Sequence, residues 1–558
     1  MSGRSSMDSA GARPTRRGLL GLSVLGLAAA ALALAVTLPT AAAADGGWCP
    51  PLWRAGVLGS LEVNPAFTTI DTFDDGAGGV RDDLVASSFF HSIKDPSGVD
   101  VVGFFADDQV VRIRDIGAVD PRSFDPATDV ERLTDLGGGP VRTVWPNSVA
   151  RVPDGVVPFE AIVVPGGFHT TPLPGRLTLL DLDDPARTEY IVDQSTRILG
   201  QPCSFPRDPA NAPRFYHQAR WHDMDSDGLL DLVTVRSSFK VAGGICAPPL
   251  GEVVWFENPG AALDPAVEWT EHLLAGFPSD PFAAEIHLDL HDFEGDGVPE
   301  IVATHFFTGD LITIYGAPAG QSWDAVDVLF NPARTRNLVT DQGRPFEIEI
   351  VDLNRDGRAE ILATNHQGDG CFPVTDDAIP GRVFVVEPPA GDLFAEPWAV
   401  HLIKDEIRPN PTFPAPTMGP GRLAPGRANA FWPVRWMEGR RKPWIVVGGD
   451  EASKVWILRP RSQNPRDWRY LSAVVFDIND VYGPGTTQSL TAPPPSAGNS
   501  ISTVGGVSRR YDRPGPFGRT ELYVPVFEGR ALHKLVFRPR PGTERVRCVA
   551  DEPVACPQ

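Results

Sequence analysis

Three short acidic loops with one common spacing constrain the fold of this chain more than any other feature. Each loop has oxygen-bearing side chains at its first, third, fifth and ninth positions and glycine at its sixth; the loops are residues 223–231, 292–300 and 352–360. The glycine permits a sharp backbone turn, and this spacing suits calcium, which takes roughly six to eight oxygen ligands. One such loop is also typical of a solvated acidic turn. Three of them, each followed at once by an apolar strand-like run, indicate a repeated unit.

The side-chain oxygens of these loops are the predicted calcium ligands. One ion in each loop gives about three structural calcium ions per chain. The predicted ligands are Asp223, Asp225, Asp227, Asp231, Asp292, Glu294, Asp296, Glu300, Asp352, Asn354, Asp356 and Glu360.

The strand pattern that follows the loops also occurs where no intact loop precedes it. A β-branched strand begins at the ninth loop residue, and another strand follows after a variable connection; matching pairs begin at Asp83, Glu160, Trp444 and Glu521. The chain therefore contains seven units, roughly 60 to 85 residues apart, a period typical of propeller blades. The sequence predicts an all-β fold, a seven-bladed β-propeller of four-stranded antiparallel blades.

The loops, the strands after them and the segment 254–259 resemble FG-GAP/VCBS repeats, which occur in the propellers of integrin α chains and of many secreted bacterial proteins. Three of the seven repeats match the calcium motif, and the other four keep only the strand pattern. The resemblance implies a propeller and bound calcium. It implies no single function, because this scaffold serves adhesion, sugar binding and lyase chemistry.

Residues 1–44 are predicted to be an export signal. Arg16 and Arg17 precede an apolar run that extends to Leu38, and residues 41–44 are alanines suited to cleavage before Asp45. The paired arginines resemble a bacterial twin-arginine signal, and the alternative is an uncleaved anchor, since the run is long for a signal. We therefore expect residues 45–558 to form one secreted or extracytoplasmic domain, with no membrane insertion after cleavage.

The net charge bears on which partners the protein can bind, and the cysteine content bears on whether it forms disulfides. A formal net charge of −21 argues against a nucleic-acid partner, because binding phosphates requires clustered lysine and arginine. The six cysteines are an even number, which favours disulfides in an exported chain. The sequence contains no Cys-x-x-Cys pair, so a zinc site built from cysteine thiolates is not expected. We expect Cys548 to pair with Cys556, and blade topology favours a pair between Cys203 and Cys246; the remaining connectivity stays open.

Blade topology separates the acidic loops from a face rich in histidine. The loops join the first and second strands of a blade, so the connections between second and third strands and between blades lie on the opposite face. His217, His287, His305 and His366 map to that opposite face, as do His91 and His169, and Glu347 lies on a first strand. First strands also carry other polar residues, namely Gln218, Arg220, Asp289 and Glu349.

The candidate catalytic residues are His217, His287, His305, His366 and Glu347. Neutral imidazoles bind divalent transition metals, and histidine or glutamate can move a proton next to a sugar carbonyl. The alternative is that these histidines are scattered loop residues that bond to backbone. Nearby aromatic residues either stack on sugar rings or pack between blades; they are Trp145, Phe306, Phe307 and Trp432.

The sequence thus favours an exported, calcium-stabilised propeller that binds an extracellular ligand, a carbohydrate or another cell-surface ligand. The alternative is a carbohydrate-active lyase or dehydratase with a metal or acid–base centre at the histidine-rich face. A purely structural surface protein is the third option.

Overall fold

The strand pattern folds into seven four-stranded antiparallel sheets in a ring, which confirms the predicted seven-bladed β-propeller. The computed structural model describes residues 47–48, 53–88, 92–94, 100–102, 109–134, 145–167, 175–194, 214–242, 245–276, 285–306, 311–318, 321–325, 331–339, 341–367, 379–408, 424–482, 504–527, 529–537 and 547–548. All of them belong to the unit Gly46–Gln558. The unit Met1–Asp45, which holds the predicted export signal, lies outside the described residues.

Six blades are built from strands that follow one another along the chain, and the first strands of several neighbouring blades contact each other. Two strands precede the first blade, β1 (Gly47–Trp48) and β2 (Trp53–Ser60).

Blade 1 contains β3 (Pro65–Asp74), β4 (Val80–Ser88), an inserted hairpin of β5 (Ser92–Lys94) and β6 (Asp100–Val102), then β7 (Gln109–Ile113) and β8 (Glu131–Arg132). Blade 2 contains β9 (Ala150–Arg151), β10 (Ala161–Pro165), β11 (Arg176–Asp181) and β12 (Glu189–Gln194). Blade 3 contains β13 (Arg214–His222), β14 (Asp231–Ala242), β15 (Ile245–Glu257) and β16 (Thr270–Ala275). Blade 4 contains β17 (Leu288–His291), β18 (Glu300–His305), β19 (Leu311–Tyr315) and β20 (Thr335–Val339). Blade 5 contains β21 (Arg344–Val351), β22 (Glu360–His366), β23 (Gly381–Glu387) and β24 (Ala399–Ile407). Blade 6 contains β25 (Ala428–Phe431), β26 (Trp444–Gly448), β27 (Lys454–Pro460) and β28 (Tyr470–Asp477).

The seventh blade joins the two ends of the propeller domain. It contains β29 (Ser508–Tyr511), β30 (Thr520–Val526) and β31 (Ala531–Phe537), and its outer strand is β2. The two-stranded sheet of β1 with β32 (Arg547–Cys548) adds a second pairing between the ends. The sequence repeats identified β30 and β31, whereas the origin of the fourth strand follows only from ring closure.

Helical structure is sparse in the described residues. It consists of α1 (Pro126–Asp129), α2 (Ile478–Tyr482) and four 3-10 turns, Gly260–Ala262, Trp323–Ala325, Pro332–Arg334 and Arg435–Met437. No helix among the described residues has the length and apolar character needed to cross a membrane.

The core lies between neighbouring blades, because the middle strands of each blade are covered on both faces. Strands β10, β18 and β26 are buried along their whole length, which explains why they read as nearly continuous apolar runs. One core cluster, for example, brings Val163 of blade 2 against Leu232 and Val254 of blade 3. Each blade therefore depends on its neighbours for its hydrophobic burial.

Polar side chains on first strands accept hydrogen bonds from backbone N–H groups on the first strand of the next blade. In blades 1, 3, 4 and 5 a side-chain oxygen accepts a hydrogen bond from a backbone N–H on the following first strand. The pairs are Asp71 with Arg151 at 3.1 Å, Gln218 with Leu288 at 3.2 Å, Asp289 with Ile350 at 3.1 Å and Glu349 with Ala430 at 2.7 Å. These bonds replace the missing ladder partner of the innermost strand, so this polar pattern has a structural explanation.

Candidate functional site

The candidate site lies at the end of the channel where the first strands begin, which we call the mouth. First strands run from the mouth toward the acidic loops, so the mouth also receives the ends of the second strands. Five side chains from blades 3 to 6 form what we call the mouth cluster: His217, His287, Glu347, His366 and Arg427. The histidine-rich face predicted from the sequence thus contains a real convergence of side chains.

Two of the histidines meet across the boundary of blades 3 and 4. His217 lies on β13 and His287 directly precedes β17, and their ring centroids are 4.9 Å apart at an angle of 79°. Both residues are buried. Nδ1 of His287 donates to the carbonyl of Phe346, and its Nε2 lies 3.0 Å from Oε2 of Glu347. Both ring nitrogens therefore face oxygen atoms, and these two contacts fix the orientation of the ring.

Glu347 lies between the guanidinium of Arg427 and the imidazole of His287. Nε of Arg427 is 3.1 Å from the same Oε2 that faces His287. Burial by itself raises the pKa of Glu347, but the positive charge of Arg427 and the imidazole of His287 outweigh it and lower the pKa to about 2. The carboxylate is therefore ionised and tightly paired inside the channel.

Arg427 connects the cluster to blades 1 and 2. Its guanidinium donates to the hydroxyl of Ser148, and its Cζ lies 4.8 Å from the ring centroid of Phe67. Sequence reasoning missed this residue, because the short strand β25 that it precedes was not recognised as the first strand of blade 6. The available signal was its place immediately before a first strand, which His287 shares in blade 4.

His366 is the least constrained member of the cluster. Its ring stacks on Phe346 with centroids 4.0 Å apart, and Nε2 lies 3.8 Å from Oδ2 of Asp450. Among the described residues, neither ring nitrogen has a hydrogen-bond partner, although the residue is only 3% exposed. Burial, with a smaller contribution from His287, lowers the pKa of His366 to about 3. The ring is therefore neutral at physiological pH.

Apolar residues surround these polar groups. Ile286, Phe306 and Phe346 form one buried cluster, and Phe67 packs against it. Phe306 and Trp145 are buried, which supports packing rather than sugar stacking for both. Trp432 follows β25 at the acidic-loop side and donates its indole N–H to the carbonyl of Arg441. Phe307 lies outside the described residues.

Of the remaining predicted histidines, His305 is the one that the structure describes, and it contacts side chains of its own blade. His305 ends β18, and its Nε2 is 2.8 Å from Oγ1 of Thr313 and 3.4 Å from the hydroxyl of Tyr315, both on β19 of the same blade. His91 and His169 lie outside the described residues, as do Cys203 and Cys556 of the two expected disulfides.

Metal-ligand geometry distinguishes the mouth from the acidic loops. Among the described residues, groups of three or more candidate ligand atoms within 4.8 Å of one another occur only at Asp223, Asp225 and Asp227 and at Asp352, Asp356 and Glu360. The mouth histidines do not form such a group. The mouth therefore offers charged and hydrogen-bonding side chains, whereas two acidic loops offer converging oxygen ligands.

The three acidic loops share one backbone conformation. The glycine at the sixth position has φ of 92° or 93° in all three, and the fourth position also has positive φ. In each loop the ninth residue accepts a hydrogen bond from the N–H of the second, at 2.8 or 2.9 Å. The register places these three ninth residues, Asp231, Glu300 and Glu360, at the start of the second strand.

The ninth-position carboxylates lie in an environment that disfavours their charge. Burial, reinforced by neighbouring acidic groups, raises the pKa of Asp231 to about 6, of Glu300 to about 7 and of Glu360 to about 8. A cation close to these oxygens would favour the ionised form. The oxygen donor set and the electrostatics of the loops therefore fit a hard divalent cation such as calcium.

Comparisons with known proteins yield fold likeness at low identity. No protein-family model matches the chain, and no protein with a curated description matches it either. Solved structures that resemble it include a lectin of Agrocybe aegerita that recognises non-reducing terminal N-acetylglucosamine (13% identity, 75% of this chain and 81% of that chain, TM-score 0.36). Another is an auxiliary nutrient binding protein from Bacteroides thetaiotaomicron (10% identity, 84% of this chain and 97% of that chain, TM-score 0.34). A third is the Dos1 propeller (9% identity, 88% of this chain and 95% of that chain, TM-score 0.35). These likenesses carry no argument about activity, and the FG-GAP/VCBS resemblance stays a prediction.

Proposed function

We propose that this protein is an exported, calcium-stabilised propeller of the FG-GAP/VCBS type that binds an extracellular carbohydrate at the mouth. The observation that carries the proposal is the convergence of charged and polar side chains from several blades on one end of the channel. Ligand sites of propeller-like scaffolds form where elements from several repeats meet, because such places combine shape with polar groups.

A hydroxyl-rich ligand matches the hydrogen-bonding groups that face the mouth. Both ring nitrogens of His366 and the side-chain oxygen of Asn147 are buried without a hydrogen-bond partner among the described residues. Asn147 is next to Ser148, which accepts from Arg427, so these groups belong to one neighbourhood. Buried polar groups without partners are costly, and sugar hydroxyls, which both donate and accept, would relieve that cost.

Ligand binding can be tested with a single substitution in the mouth. His366→Phe keeps the stack on Phe346 but removes both ring nitrogens, so we expect glycan binding to weaken about tenfold as hydrogen bonds are lost. The assay is glycan-array screening of the purified mature protein, followed by titration calorimetry with the best ligand.

The matched control is His272→Phe. His272 stacks on Trp255 on the outer strand of blade 3 and does not belong to the mouth cluster, so this variant should bind normally. Equal affinity of both variants and the wild type, with unchanged melting temperatures, would contradict a glycan site at the mouth.

The second candidate is a carbohydrate-active carbon–oxygen lyase, and the arrangement around His287 favours it. His287 contacts Glu347 and the Phe346 carbonyl, and both ring nitrogens of His366 are without a hydrogen-bond partner among the described residues, so the two imidazoles are the candidate proton-transfer groups. In such a reaction the base removes a proton from carbon, the neighbouring C–O bond breaks to leave a double bond, and the acid protonates the departing oxygen. Arg427 would stabilise the intermediate negative charge. Ultraviolet absorbance of an unsaturated product from acidic polysaccharides would distinguish the lyase from a binding protein.

Calcium in the acidic loops forms the structural part of the proposal. Asp223, Asp225 and Asp227 would hold an ion in the first loop, and Asp352, Asp356 and Glu360 would hold one in the third. Calcium supplies positive charge that ties the carboxylates together, and the ion stabilises the folded state by mass action.

Chelation tests this part independently of any ligand. Removing calcium should lower the melting temperature, since an ion at about 100 times its dissociation constant contributes about 2.7 kcal/mol. Asp225→Asn should reduce that calcium-dependent shift, whereas Asp264→Asn, an exposed aspartate outside the loops, should leave it unchanged. A melting curve indifferent to excess chelator would contradict structural calcium.

A further inference from the structure

The second acidic loop differs from the other two, within the described residues, in having one arginine that contacts two of its predicted ligand residues. Nη1 and Nη2 of Arg334 lie 3.0 and 2.6 Å from the two oxygens of Glu294, and Nη2 is 3.6 Å from Glu300. Glu294 and Glu300 are the third- and ninth-position residues of that loop. A planar guanidinium thus spans two of the positions that calcium would bridge.

The arginine is fixed in this position by further contacts. Its Nε donates to the carbonyl of Ala317 at 2.7 Å, and its Cζ lies 4.2 Å from the ring centroid of Phe394. It ends the 3-10 turn Pro332–Arg334, and its side chain is only 15% exposed. The guanidinium is therefore preorganised rather than a mobile surface charge.

Strand register shows that blade 4 replaces a tryptophan with this arginine. The residue immediately before the outer strand is Trp269 in blade 3 and Trp398 in blade 5, and it is Arg334 in blade 4. The next residue pairs with the last residue of the third strand in all three blades. The three positions are therefore equivalent, and only one carries a cation.

The other two loops lack an equivalent bridge. Within the described residues, no arginine bridges Asp223, Asp225 and Asp227, whose carboxylate oxygens lie within 4.8 Å of one another. In the third loop Arg355 contacts Oδ2 of Asp352 at 3.0 Å, but it touches no second ligand, and the three carboxylates there still converge. The converging oxygens thus occur in the two loops that no arginine bridges.

We propose that Arg334 is a tethered cation that takes the place of calcium in the second loop. The inference rests on the proposed calcium binding of the first and third loops. It revises the expected number of ions from about three to about two per chain, because the guanidinium already balances Glu294 and Glu300.

The experiment measures calcium stoichiometry of the full mature chain by calorimetry after chelator treatment and dialysis. Wild type should bind two calcium ions. Arg334→Trp, which restores the residue of the neighbouring blades, should bind a third. The matched control Arg355→Gln removes an arginine from the third loop without opening a new site, so it should still bind two.

A second measurement in excess chelator tests the inference without calcium. Arg334→Trp should lower the melting temperature in chelator, and Glu294→Gln in that background should restore part of the loss, because it removes the carboxylate left without a cation. Three ions in the wild type would overturn the inference. So would an Arg334→Trp variant that keeps two ions and shows no chelator-state loss.

The outcomes also separate this inference from the calcium proposal. A wild type that binds no calcium contradicts the calcium proposal, and the chelator-state coupling of Arg334 with Glu294 then decides the role of the arginine by itself. Absence of that coupling overturns the inference.

Discussion

Neutralising Glu347 should destabilise the propeller by an amount that depends on pH. The fall of its pKa from an ordinary 4.5 to about 2 corresponds to about 3 kcal/mol of folding stability, at about 1.4 kcal/mol per pKa unit. Glu347→Gln removes that contribution and also leaves Arg427, whose side chain is 14% exposed, beside an amide instead of a carboxylate. We therefore expect a loss of at least about 3 kcal/mol at pH 7, in the range measured when one partner of a buried ion pair is removed.

The sign of the pH dependence follows from the lowered pKa. As pH falls, Glu347 takes up a proton near pH 4.5 in the unfolded chain but only near pH 2 in the folded protein. Its contribution to stability is therefore complete above pH 4.5 and is lost as pH falls from 4.5 toward 2. Urea denaturation of wild type and Glu347→Gln at pH 7 and pH 3 measures both values. The difference between the two proteins should shrink at the lower pH.

A surface glutamate supplies the control. Glu62 is exposed and lies 3.7 Å from Arg132, so Glu62→Gln should cost at most about 1 kcal/mol. If Glu347→Gln costs no more than this control, or costs the same at pH 7 and pH 3, the ion pairing assigned to the mouth is refuted.

Two further perturbations address buried charge elsewhere in the structure. Folding stability should fall as pH drops from 6.5 toward 3, by up to about 1.4 kcal/mol per pH unit, because His366 is protonated in the unfolded chain but stays neutral in the folded protein. His366→Gln should reduce this dependence of the free energy of unfolding on pH. Equal pH dependence in the variant and the wild type would contradict the lowered pKa. Arg236 is buried and lies 2.8 Å from Asp193 and 2.6 Å from Glu252, so Arg236→Met should lower the free energy of unfolding by roughly 3–5 kcal/mol in chemical denaturation, and a loss under about 1 kcal/mol would show that the network is not coupled.

Local patterns in the sequence were sufficient for the architecture. The second and third strands of every blade appear where the repeats predicted them, because a strand covered on both faces must be apolar along its length, as β18 is. The acidic loops were recognisable because their turn requires glycine at the sixth position, where φ is 92° or 93°. Both signals arise within a few neighbouring residues.

The mouth was only partly predictable. Topology placed four histidines on the face opposite the loops, and three of them, His217, His287 and His366, lie close together there. It did not identify Arg427, and it did not show that His305 turns toward Thr313 within its own blade. The direction of a side chain at a strand end depends on local register, which the spacing of repeats does not specify.

Residue spacing by itself therefore determined the seven repeats, the strand pairs and the acidic loops, because each depends on the conformation of a short segment. Tertiary structure alone decided that β2 closes the seventh blade, that Arg427 and His287 share one carboxylate, and that Arg334 lies across the second loop. In all three cases the contacts join residues that lie far apart in the chain. Ring closure brings β2 to blade 7, packing of neighbouring blades brings Arg427 and His287 to one carboxylate, and strand pairing within blade 4 brings Arg334 to the second loop.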